Sequence, residues 1–385
     1  MEKCYIVSYG RSPIAKAGKG SLANSNPIDF GAEVLNGVLD KVKNLDKTTI
    51  DDLILGCAIP EGMMGLNPGK NLALRAELPH EVPGFTINRF CSSGLQSIAI
   101  GAAMINTGMQ DIVVAGGLES MSQPVLSENK DFLNEWLLKN TDAYISMGMT
   151  AENVASKYKL TREELDEFAV ISTDRSINAI DQGLFKKEII PVKVNEDMKN
   201  AFEFAVDECP RRGTTMVGLA KLNPCFKEDG VMTAGNSSQR SDGAGFVVLM
   251  SETKVNELGI KPIGVFHGFA VAGIDPALMG LGPIPATQKL MKKLNFSIKD
   301  LDVIELNEAF ASQSIACIRD LGLSMSKVNP RGGAISLGHP LGATGAILTS
   351  KALSFLEDES KKYGLITMCI GGGMGAAGLI ENLLI

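Results

Sequence analysis

One pattern occurs twice in this chain, and it restricts the fold more than any other feature. In the first half, Cys91-Ser-Ser-Gly opens a helix of small residues, Leu95 to Ile105. An all-apolar strand ending in glycine follows, Asp111-Ile-Val-Val-Ala-Gly-Gly117. In the second half, His339-Pro-Leu-Gly opens a helix running to about Leu356, followed by Gly364-Leu-Ile-Thr-Met-Cys-Ile-Gly-Gly-Gly373. Self-similarity of this kind marks two copies of one unit. A strand that is apolar without alternation is buried on both faces, so each copy reads as a sheet covered by helices, an α/β arrangement. Further strands fit Tyr5 to Tyr9, Asp52 to Gly56, Gly245 to Met250, Ile263 to Gly268 and Val303 to Leu306. Each half is expected to hold its own sheet.

Residues 119–231, between the copies, differ in character. They carry the only tryptophan, Trp136, most of the charge runs, and a helix-starting signal, Thr161-Arg-Glu-Glu164. They read as an inserted lobe, and insertions on rigid scaffolds tend to carry binding function. The expected division is therefore 1–118 with about 232–258 as the N-terminal half, 119–231 as the insertion, and 259–385 as the C-terminal half.

Composition bounds the function. A length of 385 residues exceeds one ordinary core, and 45% hydrophobic against 21% charged residues excludes disorder as the main state. The 41 glycines are too many for a helical bundle. With 37 basic and 44 acidic residues, the net charge of -7 repels a nucleic-acid backbone, so an anionic ligand must meet a local positive patch. Apolar runs such as Ile98 to Ile105 fall short of the ~18 residues of a bilayer span. The start, Met1 to Gly10, reads as a strand and lacks a secretory pattern, so no export is implied. Seven cysteines (Cys4, Cys57, Cys91, Cys209, Cys225, Cys317, Cys369), odd in number and never spaced C-x-x-C, point to neither a disulfide framework nor zinc. A reduced, cytoplasmic setting is expected.

Four residues stand where chemistry is done. Cys91, in Asn88-Arg-Phe-Cys-Ser-Ser-Gly, lies at a strand-to-helix junction, where helix N–H groups lower a thiol's pKa and favour the nucleophilic thiolate; a buried small hydrophobe would read the same way. His339 is one of only three histidines. Pro340 suits the first helical position, which places His339 at or near a cap, flanked by glycines that let a substrate approach. Cys369 ends a strand just before Gly371-Gly-Gly373, on the edge matching Cys91, although alone it reads as core. Asn307, in Leu306-Asn-Glu-Ala-Phe-Ala311, follows a strand and fits a helix cap equally well. Gly373-Met-Gly-Ala-Ala-Gly378 matches the dinucleotide-binding pattern, but only seven residues remain after it, too few for the required helix and strand. It reads as glycine-rich backbone of a catalytic site.

Together these segments resemble the thiolase family, in order and over nearly the whole chain. Asn88-Arg-Phe-Cys-Ser-Ser-Gly is similar to its nucleophile motif, Asn307-Glu-Ala-Phe-Ala to its asparagine motif, Gly338-His-Pro-Leu-Gly-Ala-Thr-Gly to its histidine motif, and Cys369-Ile-Gly-Gly-Gly to its second cysteine motif. Gly116-Gly-Leu-Glu-Ser-Met-Ser, Met147-Gly-Met-Thr-Ala-Glu-Asn-Val-Ala, Thr233-Ala-Gly-Asn-Ser-Ser-Gln and Asp275-Pro-Ala-Leu-Met-Gly add to the likeness. The resemblance implies a five-layered αβαβα fold of two similar halves with an inserted loop domain, assembled as a homodimer or homotetramer.

It also implies an acyltransferase working by ping-pong chemistry. Cys91 becomes acylated, His339 activates it and polarises a thioester oxygen, and Cys369 is the acid/base at the α-carbon of acetyl-CoA. One oxyanion hole is implied at His339 and a water held by Asn307, the other at the backbone N–H groups of Cys91 and Gly371. CoA contacts carry over to Met147, Arg211, Ser238, Ala309 and Phe310, with Met279 in the substrate pocket. Arg211 and the adjacent Arg212 supply the positive charge. CoA and acyl-CoA are then substrates, with no metal, nicotinamide or other tightly bound cofactor.

Two departures bear on the branch. Ser146 stands where biosynthetic members usually carry His, and Asn236-Ser-Ser-Gln-Arg-Ser-Asp-Gly-Ala is closer to the degradative, 3-ketoacyl-CoA branch. Arg331 stands where Asn or Ser is typical. The competing readings are a biosynthetic enzyme condensing two acetyl-CoA, a ketosynthase-type condensing enzyme, disfavoured by Cys369 and the few histidines, and a non-catalytic lipid-binding relative, disfavoured by the presence of all four catalytic groups.

Overall fold

The structure, a computed structural model, describes residues 2–123, 133–194 and 201–385. Its strands are β1 (Cys4–Arg11), β2 (Ala15–Lys16), β3 (Asp52–Gly56), β4 (Gly84–Ile87), β5 (Ile112–Ser120), β6 (Val192–Val194), β7 (Phe202–Phe204), β8 (Ser241–Ser251), β9 (Gly264–Gly273), β10 (Val303–Leu306), β11 (Tyr363–Ile370) and β12 (Met374–Asn382). Ten of them form one sheet in the order β10-β11-β12-β9-β1-β8-β5-β3-β4, with β2 on β8.

The repeat is visible in the pairing. In the first half β3 runs parallel to β5, which is antiparallel to β8, which is antiparallel to β1. In the second, β10 runs parallel to β11, which is antiparallel to β12, which is antiparallel to β9. Separate sheets were expected. Instead the equivalent strands β1 and β9 pair antiparallel at Tyr5↔Val265 and Ile6↔Gly264, joining the halves in one surface.

Side-chain alternation builds the layers. Along β5, Ile112, Val114 and Leu118 pack with Phe30, Val34 and Leu72 of the outer helices Pro27–Leu39 and Pro68–Arg75. The residues between them, Val113 and Ala115, face the opposite way, onto Leu95, Ile98 and Ile105 of the helix Ser93–Asn106 and Ala352 and Leu353 of the helix Thr344–Asp358. Along β11, Ile366, Met368 and Ile370 join that same central core, whereas Leu365 and Cys369 face the outer helices Pro283–Leu294 and Ala311–Leu321. Helices, half-sheet, paired central helices, half-sheet and helices make five layers, αβαβα.

Two short elements escape a reading by composition. Gly84–Ile87 is an edge strand, and the glycine-rich stretch after Gly373 is the strand β12, hydrogen-bonded on both sides. The small residues of β12 follow from packing, because a Cβ at Gly375 would overlap the backbone of Gly282. The insertion contributes to both outer layers. Its helices Met147–Tyr158 and Arg162–Asp181 bury Ala151, Ala155, Leu165 and Phe168 in the C-terminal core, while Val192, Val194 and Phe204 of the β6–β7 hairpin join the N-terminal core. Thr161 caps the second helix reciprocally with Glu164, as its sequence predicts. No described helix is long and apolar enough to cross a membrane.

Candidate active site

Cys91 lies in the single turn Phe90–Ser92 that leads into the central helix Ser93–Asn106. The turn is held by Asn88, whose side chain accepts from Phe90 N–H and donates to the Ala58 carbonyl. Phe90 has φ 44°, a left-handed conformation that costs a non-glycine residue about 1–2 kcal/mol. That strain turns the chain so that Cys91 stays partly exposed at the end of the helix. Its Sγ lies near enough to its own N–H and to that of Gly371, from the opposite half of the molecule, for both to favour the thiolate.

The N–H donors do not set the thiol's acidity. Burial outweighs them and pushes the Cys91 thiol up to about 11, with the buried Glu119 carboxylate adding to the rise. Cys369 sits at the inner end of β11, close enough to Cys91 for their charges to interact, and burial raises its thiol further. The expectation of thiolates primed by a helix end is therefore corrected. Both sulfurs rest as neutral thiols, because the sheets and central helices that bring them together also exclude water.

His339 and Asn307 form the second pair. His339 Nε2 lies 3.3 Å from Asn307 Nδ2, and Nδ1 lies 2.7 Å from Thr344 Oγ1. Burial drives the imidazole pKa down to about 4, so the ring is neutral at physiological pH. Neither residue is a helix cap. Pro340 has ψ 81° and the long helix starts only at Thr344; Asn307 precedes a helix that begins at Ala311 with Phe310 at its cap. Instead, Asn307 N–H donates to the Thr367 carbonyl, continuing the β10–β11 pairing by one residue toward Cys369, and its buried Oδ1 has no partner.

The glycines around His339 do not open onto a substrate. A Cβ at Gly333 would overlap the Glu308 carboxylate, one at Gly332 would overlap Ser176 and the Ser172 carbonyl, and one at Gly338 would overlap Ser241. They let the histidine loop close down on buried polar groups. Gly371 is different, since a Cβ there would stand 3.6 Å from Met147 Sδ and 3.8 Å from Phe90. Two exposed apolar side chains thus flank the backbone that faces Cys91.

The remaining sequence-predicted residues fall into three places. Ser238 N–H donates to the Ala309 carbonyl, and Phe310 packs edge-on against Phe226 with centroids 6.1 Å apart, so Ser238, Ala309 and Phe310 share one wall. Met147 begins its helix with Ser146 as the cap, accepting from Met149 N–H; the serine that replaces the usual histidine thus has a helix-starting role. Met279 is buried in the C-terminal core beside the Gly280 carbonyl that Cys317 contacts. Arg211 is exposed and lines a small cleft with Thr214, Gln239 and Ser336, but Arg212 is engaged by Asp181, so the two arginines do not act together. Arg331 is buried and bonds the Leu184 carbonyl, Ser354 and Asp358, fastening the histidine loop to the helix Thr344–Asp358.

Buried charges that motif reasoning passes over support the site. Glu119 accepts from the N–H groups of Ala58, Ile59 and Gly342, tying the end of β3 to the histidine turn. Lys351 donates to Glu305 at 2.8 Å and to the Gly332 carbonyl at 2.7 Å, with both side chains about 1% exposed. The available signal was a charged residue within an apolar run, as in Val303-Ile-Glu-Leu306.

Comparison with known proteins agrees with this geometry. The thiolase N-terminal domain model matches residues 4–253 and the C-terminal domain model residues 260–382. A Bacillus subtilis protein named 3-ketoacyl-CoA thiolase is 46% identical over 99% of this chain and 100% of its own. Proteins named acetyl-CoA acetyltransferase from Allochromatium vinosum and Escherichia coli are 44% and 41% identical, covering 99% and 100% of this chain and the whole of each relative. The crystal structure of the Bacillus anthracis acetyl-CoA acetyltransferase superposes with a TM-score of 0.92 at 38% identity, covering 100% of this chain and 99% of that one. The chain belongs to the thiolase family.

Proposed function

We propose that this chain is a thiolase that cleaves 3-ketoacyl-CoA with CoA to acetyl-CoA and an acyl-CoA shortened by two carbons, and that also accepts acetoacetyl-CoA. The observation that carries the reading is the meeting, across the two halves, of the Cys91 sulfur with the Gly371 N–H, beside a second buried thiol, Cys369.

In the first half-reaction Cys91 sulfur attacks the 3-keto carbon while its proton passes to neutral His339, and the N–H groups of Cys91 and Gly371 hold the new oxyanion. As the oxyanion collapses, the bond between C2 and C3 breaks. The electron pair leaves on the acetyl-CoA enolate, whose oxygen is held at the His339–Asn307 pair, and Cys369 gives its proton to the enolate carbon. His339 returns a proton to Cys369, which leaves acyl-Cys91 and free acetyl-CoA. In the second half-reaction CoA thiol attacks acyl-Cys91, and its proton returns to Cys91 as that sulfur departs. Neutral thiols suit this sequence, since Cys91 gives up its proton only as its sulfur attacks, and Cys369 gives up its proton only as the enolate carbon takes it.

CoA is placed along Met147, Ser238, Ala309 and Phe310, with its phosphates toward Arg211 and its acyl end toward Met279. Residues 119–231 are the CoA-binding portion. The enzyme works in the cytoplasm as a homodimer or homotetramer and uses no tightly bound cofactor. Relatives named acetyl-CoA acetyltransferase favour a second reading, condensation of two acetyl-CoA. Thiolysis assays on 3-ketoacyl-CoA substrates of increasing length, with a Cys91→Ala control, test the choice. Turnover across several lengths is expected. Activity on four carbons alone would transfer the enzyme to the condensing branch, and none at any length with the fold intact would remove the enzyme reading.

A further inference from the structure

Asn307 and His339 arrive at the site on two unrelated stretches of chain, the end of β10 and the loop 329–338. Asn307 lies just past its strand and His339 just past the short helical turn Ala334–Leu337, yet their side chains must meet to within a few tenths of an ångström to share one oxygen. What fixes their separation is the residue after Asn307. Glu308 is buried and points away from the cleft. One carboxylate oxygen accepts from Asn329 Nδ2 at 2.8 Å, and the other from Ser172 Oγ at 2.6 Å and Ile335 N–H at 3.2 Å. Asn329 in turn brackets Leu306, accepting from its N–H at 2.9 Å and donating to its carbonyl at 2.8 Å. Ser172, on the insertion's long helix, accepts from Gly333 N–H at 3.1 Å. One side chain therefore gathers the strand carrying Asn307, both ends of the loop that delivers His339, and the helix behind them.

We propose that Glu308 is the positioning residue of the His339–Asn307 oxyanion hole, and that its loss slows the enolate step, which needs Asn307 and His339 together, more than the acylation of Cys91, which needs His339 alone as proton acceptor. The inference rests on the thiolase reading above and deepens it. The acylation hole lies on Cys91 and Gly371, at the ends of a different helix and strand, and none of Glu308's partners reaches it. The carboxylate is suited to the task because it only accepts, and all three groups around it donate. Glutamine of the same shape offers one accepting oxygen and an N–H2 that opposes one of those donors.

The test compares the two steps in the same full-length protein with acetyl-CoA as the probe. Acetylation of Cys91 is followed by intact-protein mass spectrometry, and exchange of the acetyl-CoA methyl protons into deuterium oxide by NMR. Glu308→Gln is expected to lower exchange about 10²-fold, the cost of misplacing a reacting group by about an ångström, while acetylation of Cys91 falls by about tenfold at most. Ser172→Ala, which removes one of the three donors, is expected to move the same ratio in the same direction by a smaller factor, and Glu308→Asp to recover part of it. Equal losses in both steps, or no change in either, would overturn the proposal. A wild-type protein that neither acetylates nor exchanges would instead bring down the thiolase reading, leaving the two failures distinguishable.

Discussion

The two copies of the repeat use the same scaffold for opposite purposes. Each presents a single tight turn, a central helix and a buried strand: Phe90–Ser92, Ser93–Asn106 and β5 in one, Leu341–Ala343, Thr344–Asp358 and β11 in the other. In the first copy the turn carries Cys91, and β5 runs on beyond Gly117 into Glu119, whose carboxylate braces the second copy's turn at Gly342. In the second copy the turn is buried and His339 has both ring nitrogens engaged, while β11 stops at Ile370 and the exposed backbone beyond it supplies the N–H of Gly371. Around the site the copies diverge at the helix starts and the strand ends, while farther out the first copy also carries the edge strand β4. A strand that continues can only brace, whereas a strand that ends frees backbone donors for a ligand.

The sharpest way to break this comparison is to remove the thiol at the end of the second copy's strand, the acid/base group proposed above. Cys369→Ala is expected to leave acetylation of Cys91 within a few-fold of wild type and to lower exchange of acetyl-CoA methyl protons by about 10²–10⁴-fold, the contribution of one acid/base group. Exchange at the wild-type rate would show that Cys369 is only a core residue of β11.

The next largest effect tests whether the second copy is stiffened from within. Lys351, on the central helix, is about 1% exposed and holds Glu305 and the Gly332 carbonyl. Removing one partner of a buried pair leaves an uncompensated charge, so Lys351→Met is expected to lower the unfolding free energy by about 3–5 kcal/mol in denaturant titrations. The double variant Lys351→Met, Glu305→Leu is expected to regain most of it. A loss below about 1 kcal/mol in the single variant would mean that water reaches the pair.

How much of this was legible beforehand follows the same line between local and tertiary causes. The alternation and the apolar runs located the strands on which the site is built, and the motifs around Cys91, Asn307, His339 and Cys369 pointed to residues that the fold does bring near one another. Local signals also failed in instructive ways. Asn307 and Pro340 have the chemistry of helix starts, yet ladder bonds and a buried contact hold them outside their helices. The thiol of Cys91 looked set for a lowered pKa because a sequence displays the helix end and hides the desolvation. Glycines 332 and 333 resembled a substrate-facing loop because the groups that fill their space, Ser172 and Ser176 at the first and the Glu308 carboxylate at the second, lie far away in the chain.

The three glycines after Cys369 refine the contrast at smaller magnitude, since they do different jobs. Gly373 has φ 81°, and a Cβ there would overlap the Ile274 carbonyl, so Gly373→Ala is expected to cost about 1–3 kcal/mol of stability. Gly371 has room for a methyl group beside Met147 and Phe90, so Gly371→Ala is expected to fold with a change within about 0.5 kcal/mol. Its effect belongs to the ligand, seen as a raised KM for CoA thioesters. Thermal denaturation of both variants side by side decides this, and equal destabilisation would show that Gly371 is also needed for backbone shape.

The mildest test concerns Cys91 without any substitution. Its folded thiol has been pushed up to about 11 and is therefore protonated throughout the neutral range. The reactive thiolate fraction then rises about tenfold per pH unit from pH 7 up to nearly that value. Alkylation of Cys91 by iodoacetamide, monitored by peptide mass spectrometry, should accelerate continuously between pH 7 and 10. A plateau for Cys91 at or below pH 8 would mean that the N–H groups of Gly371 and Cys91 outweigh burial. The first copy's turn would then hold a primed thiolate, and the contrast between a neutral nucleophile and a neutral histidine would give way to an ion pair across the two halves.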